Sequence, residues 1–157
     1  MSDTVITAPD GLPVIEITRE FAAPAALLFR AYTEPDLVVQ WLGPRRLTMK
    51  IDHWDARHAG GYRYIHTDDE GNEYAFRGTF HGDPTVTEGI VQTFEWEGAP
   101  GDIAMERITF TEQDGRTTVH MRSVGFSVEA RDAHIANGME SGVRDAMDRL
   151  AELLPTL

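Results

Sequence analysis

A series of short strand-like segments lies between residues 47 and 123 and limits the chain to a few kinds of fold. Each is rich in Thr, Val, Ile or aromatic residues, and turn-forming pairs such as Gly60-Gly61 and Asp114-Gly115 separate them. Tight turns join antiparallel neighbours, because parallel strands need long crossover connections. The pattern therefore predicts an antiparallel meander with strands at residues 47–54, 62–67, 74–81, 89–96, 104–111 and 117–123.

A second constraint is an amphipathic segment at residues 129–154. Apolar side chains recur there every three or four residues, and charged residues occupy the other positions. This spacing predicts one helix, about 39 Å long at 1.5 Å per residue, that is long enough to cross the sheet. Its apolar positions are Ile135, Met139, Val143, Met147, Leu150 and Leu154.

The N-terminal third of the chain contributes smaller elements. Residues 13–21 alternate between apolar and polar side chains and predict a first strand, which brings the sheet to about seven strands. Residues 1–12 mix small polar residues with Pro and Gly and predict a flexible N-terminal arm. Two short helices are expected after the strand, one at residues 25–32 and one capped by Thr33.

The order of these elements is that of an α+β domain. A sheet with one apolar face needs a single cover, and only the C-terminal helix is long enough to supply it. A twisted sheet around one helix leaves space between the two surfaces, so a cavity is expected there. With 157 residues and 41% hydrophobic content, residues 13–157 are expected to form one domain.

Several short motifs carry a resemblance to a known family. They are Glu20-Phe-Ala-Ala-Pro24, Tyr32-Thr-Glu-Pro35 leading to Gln40-Trp-Leu-Gly43, Asp55-Ala-Arg57 followed by Gly60-Gly-Tyr-Arg63, Phe76-Arg-Gly-Thr-Phe80, and Gly138-Met-Glu-Ser-Gly142 before Asp148-Arg-Leu150. With them the chain resembles the SRPBCC, or START-like, superfamily of helix-grip proteins. Within it, the chain is similar to the group around the C-terminal domain of the activator of a heat-shock-protein ATPase. The resemblance implies a helix-grip fold like that of the birch pollen allergen, in which a curved sheet wraps a long C-terminal helix.

Strand aromatics and helix methionines are the candidate ligand-binding residues. Methionine suits adaptable apolar pockets, and the resemblance places a cavity between sheet and helix. The alternative interpretation is that the same side chains form an ordinary core. The predicted cavity residues are Trp41, Trp54, Tyr62, Tyr64, His66, Phe76, Phe80, Phe94, Trp96, Met121, Phe126, Met139, Val143 and Met147.

The sequence predicts a specific role for three residues in or near this set. His66 shares strand parity with the predicted cavity tyrosines, so it is the candidate for one polar contact to a ligand. The alternative is a hydrogen-bonded histidine near a hairpin. Gly138 and Gly142 are four residues apart and are expected on one helix face, where either close packing or a ligand approaches the backbone.

Composition excludes several classes of site and partner. The absence of cysteine excludes disulfides, thiolate catalysis and Cys-based zinc sites. No histidine spacing or glycine-rich motif specifies a metal or nucleotide, so we expect no metal and no cofactor. A net charge of −12 repels nucleic acid and anionic membranes. Neither a signal sequence nor a membrane-spanning run is present, and we expect a cytoplasmic chain.

Three functions remain open from the sequence. The leading hypothesis is non-enzymatic binding of a small apolar or aromatic molecule, as a carrier or sensor, by a monomer or homodimer. The resemblance also implies a chaperone accessory protein that docks on a heat-shock ATPase in the stress response. It further implies a polyketide cyclase-like or dehydratase-like enzyme, in which a polar cavity group acts as acid or base. We expect a binding protein more than an enzyme and predict no catalytic residue.

Overall fold

The computed structural model describes residues 3–157, which form one antiparallel sheet covered by helices. Every strand pairs with its neighbours in antiparallel orientation. The eight strands are β1 (Val5–Thr7), β2 (Val14–Phe21), β3 (Thr48–Trp54), β4 (Gly61–Thr67), β5 (Glu73–Thr79), β6 (Ile90–Trp96), β7 (Ile103–Gln113) and β8 (Arg116–Val124).

The strand order in the sheet is β1-β2-β8-β7-β6-β5-β4-β3. Strands β3 to β8 form the predicted meander, and β2 joins it by pairing with β8 over its whole length. The α+β class and the curved antiparallel sheet are therefore confirmed. The helices are α1 (Ala25–Thr33), α2 (Pro35–Val38), α3 (Val128–Ala136) and α4 (Met139–Leu153), followed by a 3-10 turn at Leu154–Thr156.

Strand β1, which the sequence did not predict, lies inside the segment expected to be a flexible arm. Val5, Ile6 and Thr7 are β-branched and pair with β2, opposite Thr18, Ile17 and Glu16. Next to this strand, the side chain of Thr4 is buried. The arm prediction was therefore wrong for the part of residues 1–12 that forms β1, and its first two residues lie outside the described part of the chain.

The prediction of one continuous C-terminal helix was wrong. Gly138 has φ +85°, a left-handed conformation that ends α3, and α4 begins at Met139. The amide of Gly138 donates to the carbonyl of Ile135 at 3.0 Å in this terminal turn. Gly138 and Gly142 therefore do not share a helix face, because only Gly142 is helical.

The second short helix begins one residue later than predicted. Thr33 is the last residue of α1, where its hydroxyl donates to the carbonyl of Phe29 at 2.7 Å. Glu34 occupies the N-cap position of α2, and Pro35 fits the first helical position because its missing amide would have no partner there. The indole of Trp41 then donates to the carbonyl of Ala31 at 2.9 Å and anchors the following loop.

The core lies between the inner face of the sheet, α1 and the C-terminal half of α4. Leu150 on α4 is fully buried and belongs to the same cluster as Tyr62, Phe80 and Ile108 on the strands. The buried side chains of α4 lie in its second half, and Val143 in its first half packs against the same core with its side chain partly buried. Among residues 3–157, no helix has both the length and the apolar character needed to cross a bilayer.

Candidate functional site

A pocket of about 160 Å³ lies between α3 and the inner face of the sheet. Strands β6, β7 and β8 form its floor, and α3 covers it from above. Its lining residues are Pro13, Ile15, Phe94, Trp96, Ala99, Asp102, Ala104, Ser123, Gly125, Ala130, Arg131, Ala133, His134 and Asn137.

Small side chains create this space. Ala104 on β7 is the direct partner of Phe94 on β6, and α3 presents Ala130 and Ala133 to the pocket instead of larger residues. The position of α3 is fixed at its first turn, where the hydroxyl of Ser127 accepts a 3.1 Å hydrogen bond from the Ala130 amide. The pocket thus results from short side chains beneath a well-capped helix.

Arg131 ties α3 to the N-terminal segment. Its Nη1 donates to the carbonyl of Pro9 at 2.6 Å and to that of Val14 at 3.3 Å. The other side of the guanidinium donates to Oδ1 of Asp132, with Nη2 at 2.9 Å and Nε at 3.1 Å. The guanidinium is buried and held by these contacts, so its role is to position the helix.

His134 forms the aromatic edge of the pocket. Its ring packs edge-on against Phe94, with centroids 5.9 Å apart and planes at 69°. Desolvation in this packing lowers the pKa of His134, and the carboxylate of Asp102 opposes that effect. The imidazole is therefore mainly neutral near pH 7.

A buried carboxyl group lies next to the floor of the pocket. Glu106 keeps 8% of its surface exposed, and its Oε1 accepts a 2.9 Å hydrogen bond from Nε2 of Gln92 on β6. Burial raises the pKa of Glu106 to about 7, which the hydrogen bond from Gln92 partly offsets. Sequence reasoning missed this residue, although Glu106 has the same strand parity as the core residues Ile108 and Phe110.

Two buried tyrosines on β4 and a partly buried tyrosine on α1 are within the electrostatic influence of Glu106. Burial, and secondarily the charge of Glu106, raises the pKa of Tyr32, Tyr62 and Tyr64. The Tyr62 hydroxyl donates to the carbonyl of Thr93 at 2.6 Å. These phenols stay protonated and serve the core as neutral polar groups.

The structure brings two of the predicted cavity residues, Phe94 and Trp96, to the pocket. Phe94 also ends a ladder of four stacked aromatics that fills the space between sheet and helix, with successive centroids 5.3 to 6.1 Å apart. The ladder consists of Tyr62, Tyr64, Phe76 and Phe94. Others lie in or against the core: Trp41, Trp54, Phe80, Met121, Val143 and Met147. Met139 is half-buried at the start of α4, and Phe126 is 74% exposed.

His66 does not line the pocket. Its ring is buried between Tyr64 and Phe76, at centroid distances of 5.1 and 5.6 Å. Gly43 packs so closely on the imidazole that a Cβ at that position would overlap it. Burial lowers the pKa of His66 to about 4, and Nε2 has no hydrogen-bond partner within residues 3–157. The histidine is neutral and belongs to the core.

Two other possible sites give no support for binding. Within the described residues, no three His, Asp or Glu side chains cluster in a way that suits a metal ion. A surface depression of about 340 Å³ contains Arg45 and Arg149. Arg45 pairs with Glu152 at 2.6 Å, and Arg149 donates to the carbonyls of Gly43 and Gln40, so both guanidinium groups already have partners.

Comparison with solved structures shows the same fold in bacterial proteins of low sequence identity. A protein from Rhodobacter sphaeroides is 23% identical, with a TM-score of 0.89 and coverage of 99% of this chain and 100% of that chain. Protein Ms6760 from Mycobacterium smegmatis is 24% identical, with a TM-score of 0.84 and 98% coverage of both chains. CalU16 from Micromonospora echinospora is 18% identical, with a TM-score of 0.62 and coverage of 98% and 86%. At these identities the likeness concerns the fold alone.

Sequence comparison gives a family and no individual relative. No curated protein sequence matches the chain. The family model described as "Activator of Hsp90 ATPase homolog 1-like protein" matches residues 22–155, which include α1, α2, both C-terminal helices and every strand from β3 to β8. The chain therefore belongs to the family of activator of Hsp90 ATPase homolog 1-like proteins, as its motifs predicted.

Proposed function

We propose that this protein binds a small aromatic or apolar molecule, without transforming it, in the pocket beneath α3. The observation that carries the proposal is the pocket itself, whose walls combine Phe94 and Trp96 with small alanines. A cavity of about 150 Å³ is enough to hold benzene. Typical drug-sized ligands occupy about 300 to 1,000 Å³, so a volume of about 160 Å³ favours a molecule with one aromatic ring.

Binding is a better account of these residues than catalysis. An enzyme needs a titratable group that contacts the bound molecule, and usually a second group that exchanges a proton with it. His66 and Tyr62 have displaced pKa values, but they lie in the packed core. Glu106 lies beside the pocket. Within the described residues, its side-chain hydrogen bond comes from Gln92, whose amide is neither an acid nor a base.

A matched pair of substitutions on α3 tests the proposal. Ala130→Trp fills the pocket, whereas Ala136→Trp adds the same side chain at an exposed position that is not part of the lining. Benzyl alcohol is a suitable probe because it is neutral and has one ring. We expect saturable binding to the unmodified chain and to Ala136→Trp, and its loss in Ala130→Trp, measured by ligand-detected NMR. Equal binding by both variants would contradict the proposal.

Docking on a heat-shock ATPase is a second candidate function, because the family description names such an activator. It is favoured by apolar side chains on the outer surface. Met105 and Val124 are exposed cross-strand partners, and the strongly exposed Phe126 follows them in the chain. Co-sedimentation with an Hsp90-class ATPase tests this candidate: Phe126→Asp should abolish association, and an unchanged association would contradict a role for this surface.

A further inference from the structure

We propose that the pocket beneath α3 selects a small aromatic amine, whose ammonium group pairs with the carboxylate of Glu106. This inference rests on the proposed function and adds the chemical class of the ligand. It starts from the position of one acidic side chain on the apolar face of the sheet.

The strand register places Glu106 next to two residues that line the inner end of the pocket. Glu106 is the direct partner of Ser123 on β8, and it has the same strand parity as Ala104, two residues earlier on β7. Both of these neighbours line the pocket. Directly opposed residues have Cβ atoms about 4.5 to 5.5 Å apart, so the Glu106 side chain lies beside that of Ser123. Its carboxyl group is therefore adjacent to the pocket floor. A ring held beside Phe94 can therefore direct a short polar substituent toward Glu106.

Glu106 lacks a positive partner in the described part of the chain. Within residues 3–157 its hydrogen bond comes from the neutral amide of Gln92 at 2.9 Å. No arginine, lysine or histidine forms an ion pair with it there. Buried carboxylates are normally paired with a cation or a metal, since desolvation of an isolated charge is costly. An ammonium ligand would supply the missing positive charge.

The other titratable groups near the pocket do not supply a positive charge to Glu106. On α3, Arg131 is held by Asp132 and two backbone carbonyls, and His134 is mainly neutral near pH 7. In the loop before β7, Asp102 adds a negative charge at the pocket wall. On α1 and β4, the three tyrosines whose pKa values are raised stay protonated. The groups facing Glu106 thus leave it without a competing cation.

The aromatic wall has the matching preference. Phe94 and Trp96 both line the pocket, and aromatic faces attract an organic cation through the ring quadrupole. The same rings stack against an aromatic ligand. An anionic ligand such as benzoate would instead meet the carboxyl groups of Glu106 and Asp102, in a chain whose net charge is −12.

Amine binding should be coupled to proton release. Burial raises the pKa of the free Glu106 carboxyl to about 7, so the group is mostly protonated below that pH. A bound ammonium favours the ionised form and lowers the pKa again. The affinity for an amine should therefore rise from about pH 5.5 to about pH 8, whereas that for a neutral alcohol should not rise.

Benzylamine, benzyl alcohol and benzoate form a matched set of single-ring probes for calorimetric or NMR titration of the whole chain. At about pH 8 we expect benzylamine to bind about tenfold more tightly than benzyl alcohol, a difference of about 1.4 kcal/mol, with benzoate weakest. Glu106→Gln preserves shape and should bring amine and alcohol to similar affinity. Glu129→Gln removes one charge from an exposed site on α3 and should keep the amine preference.

The outcomes separate this inference from the function on which it rests. If benzyl alcohol binds and benzylamine is no better, the amine inference is wrong and the pocket proposal stands. If none of the three probes binds, both are wrong. A preference for benzylamine that persists in Glu106→Gln also overturns the inference. Should that variant fail to fold, the pH series on the unmodified chain still decides, because an amine affinity that does not rise with pH contradicts the role of Glu106.

Discussion

Nε2 of Gln92 donates to Oε1 of Glu106 at 2.9 Å, and this partly buried hydrogen bond joins β6 to β7. The folded protein holds a proton on Glu106 up to about pH 7, whereas an ordinary Glu releases it at 4.5. The folded state therefore loses stability as pH rises from about 4.5 to about 7, and the loss persists above that range. Glu106→Gln should remove the effect and stabilise the protein at about pH 8 by up to about 3 kcal/mol.

The comparison for this prediction is Glu88→Gln, since Glu88 is exposed in a loop. Chemical denaturation of the unmodified chain and both variants at about pH 4.5 and 8 measures the difference. Stabilisation that is as large at the low pH as at the high pH would mean that Glu106 ionisation is not its source.

The two glycines near the helix break should respond to alanine in opposite directions. Gly142 lies within α4, and an added Cβ would meet only Pro44 at ordinary contact distance, 3.8 Å, so Gly142→Ala should stabilise by about 0.5 to 1 kcal/mol. Gly138 has φ +85°, so Gly138→Ala should destabilise by about 1 to 2 kcal/mol. Thermal unfolding of both variants provides the test. A stabilised Gly138→Ala would indicate a continuous helix in solution.

Truncation of the α4 side chain that packs on the sheet should be costly. Leu150 has no exposed surface, so Leu150→Ala should reduce the free energy of unfolding by about 2 to 5 kcal/mol. Glu140→Ala, at an exposed site of the same helix, should have little effect. Urea denaturation measures both variants. An equal loss of unfolding free energy in the two would mean that α4 does not turn Leu150 toward the sheet.

The ion pair between Arg19 and Asp148 should contribute more than one on the surface. Nη1 of Arg19 lies 2.6 Å from Oδ1 of Asp148, and the Arg19 side chain is 5% exposed while that of Asp148 is 57% exposed. Asp148→Asn should cost about 1 kcal/mol, because a buried guanidinium loses its anion while water still reaches the partner position.

Glu152→Gln is the surface comparison for that prediction. Glu152 pairs with Arg45, and both side chains are largely exposed. Its effect on the denaturation midpoint should be clearly smaller. A larger loss in Glu152→Gln than in Asp148→Asn would contradict the role given to burial.

Much of the fold was predictable because local patterns and global packing agree. Period-two alternation with Gly and Asp turns predicted the meander, and the apolar stripe through Leu150 predicted the helix that covers it. The helix break was not predicted, because the helical spacing of apolar residues continues on both sides of Gly138. The left-handed conformation of Gly138 depends on the turn formed there. Strand β1 was missed because three residues between loop-like segments give too little periodicity.

The site was harder to predict than the fold. The aromatic inventory was correct in residue type, but whether aromatics enclose a cavity or fill it depends on the distance between surfaces. In this protein, Tyr64 and Phe76 stack and occupy the predicted space. The observed pocket depends on small residues such as Ala104 and Ala130, which carry no chemical signal in a sequence. Glu106 was detectable in principle as an acidic residue on the core side of β7.

Amide NMR during a titration with benzyl alcohol shows whether a ligand occupies the pocket beneath α3. We expect saturable shifts that are largest for residues on the pocket walls, among them Ala104, Ser123 and Ala130. The chemical shifts of amides near the surface depression beside Arg149 should not change. Shifts centred on that depression or on the exposed Phe126, or no saturable shift at all, would contradict ligand binding beneath α3.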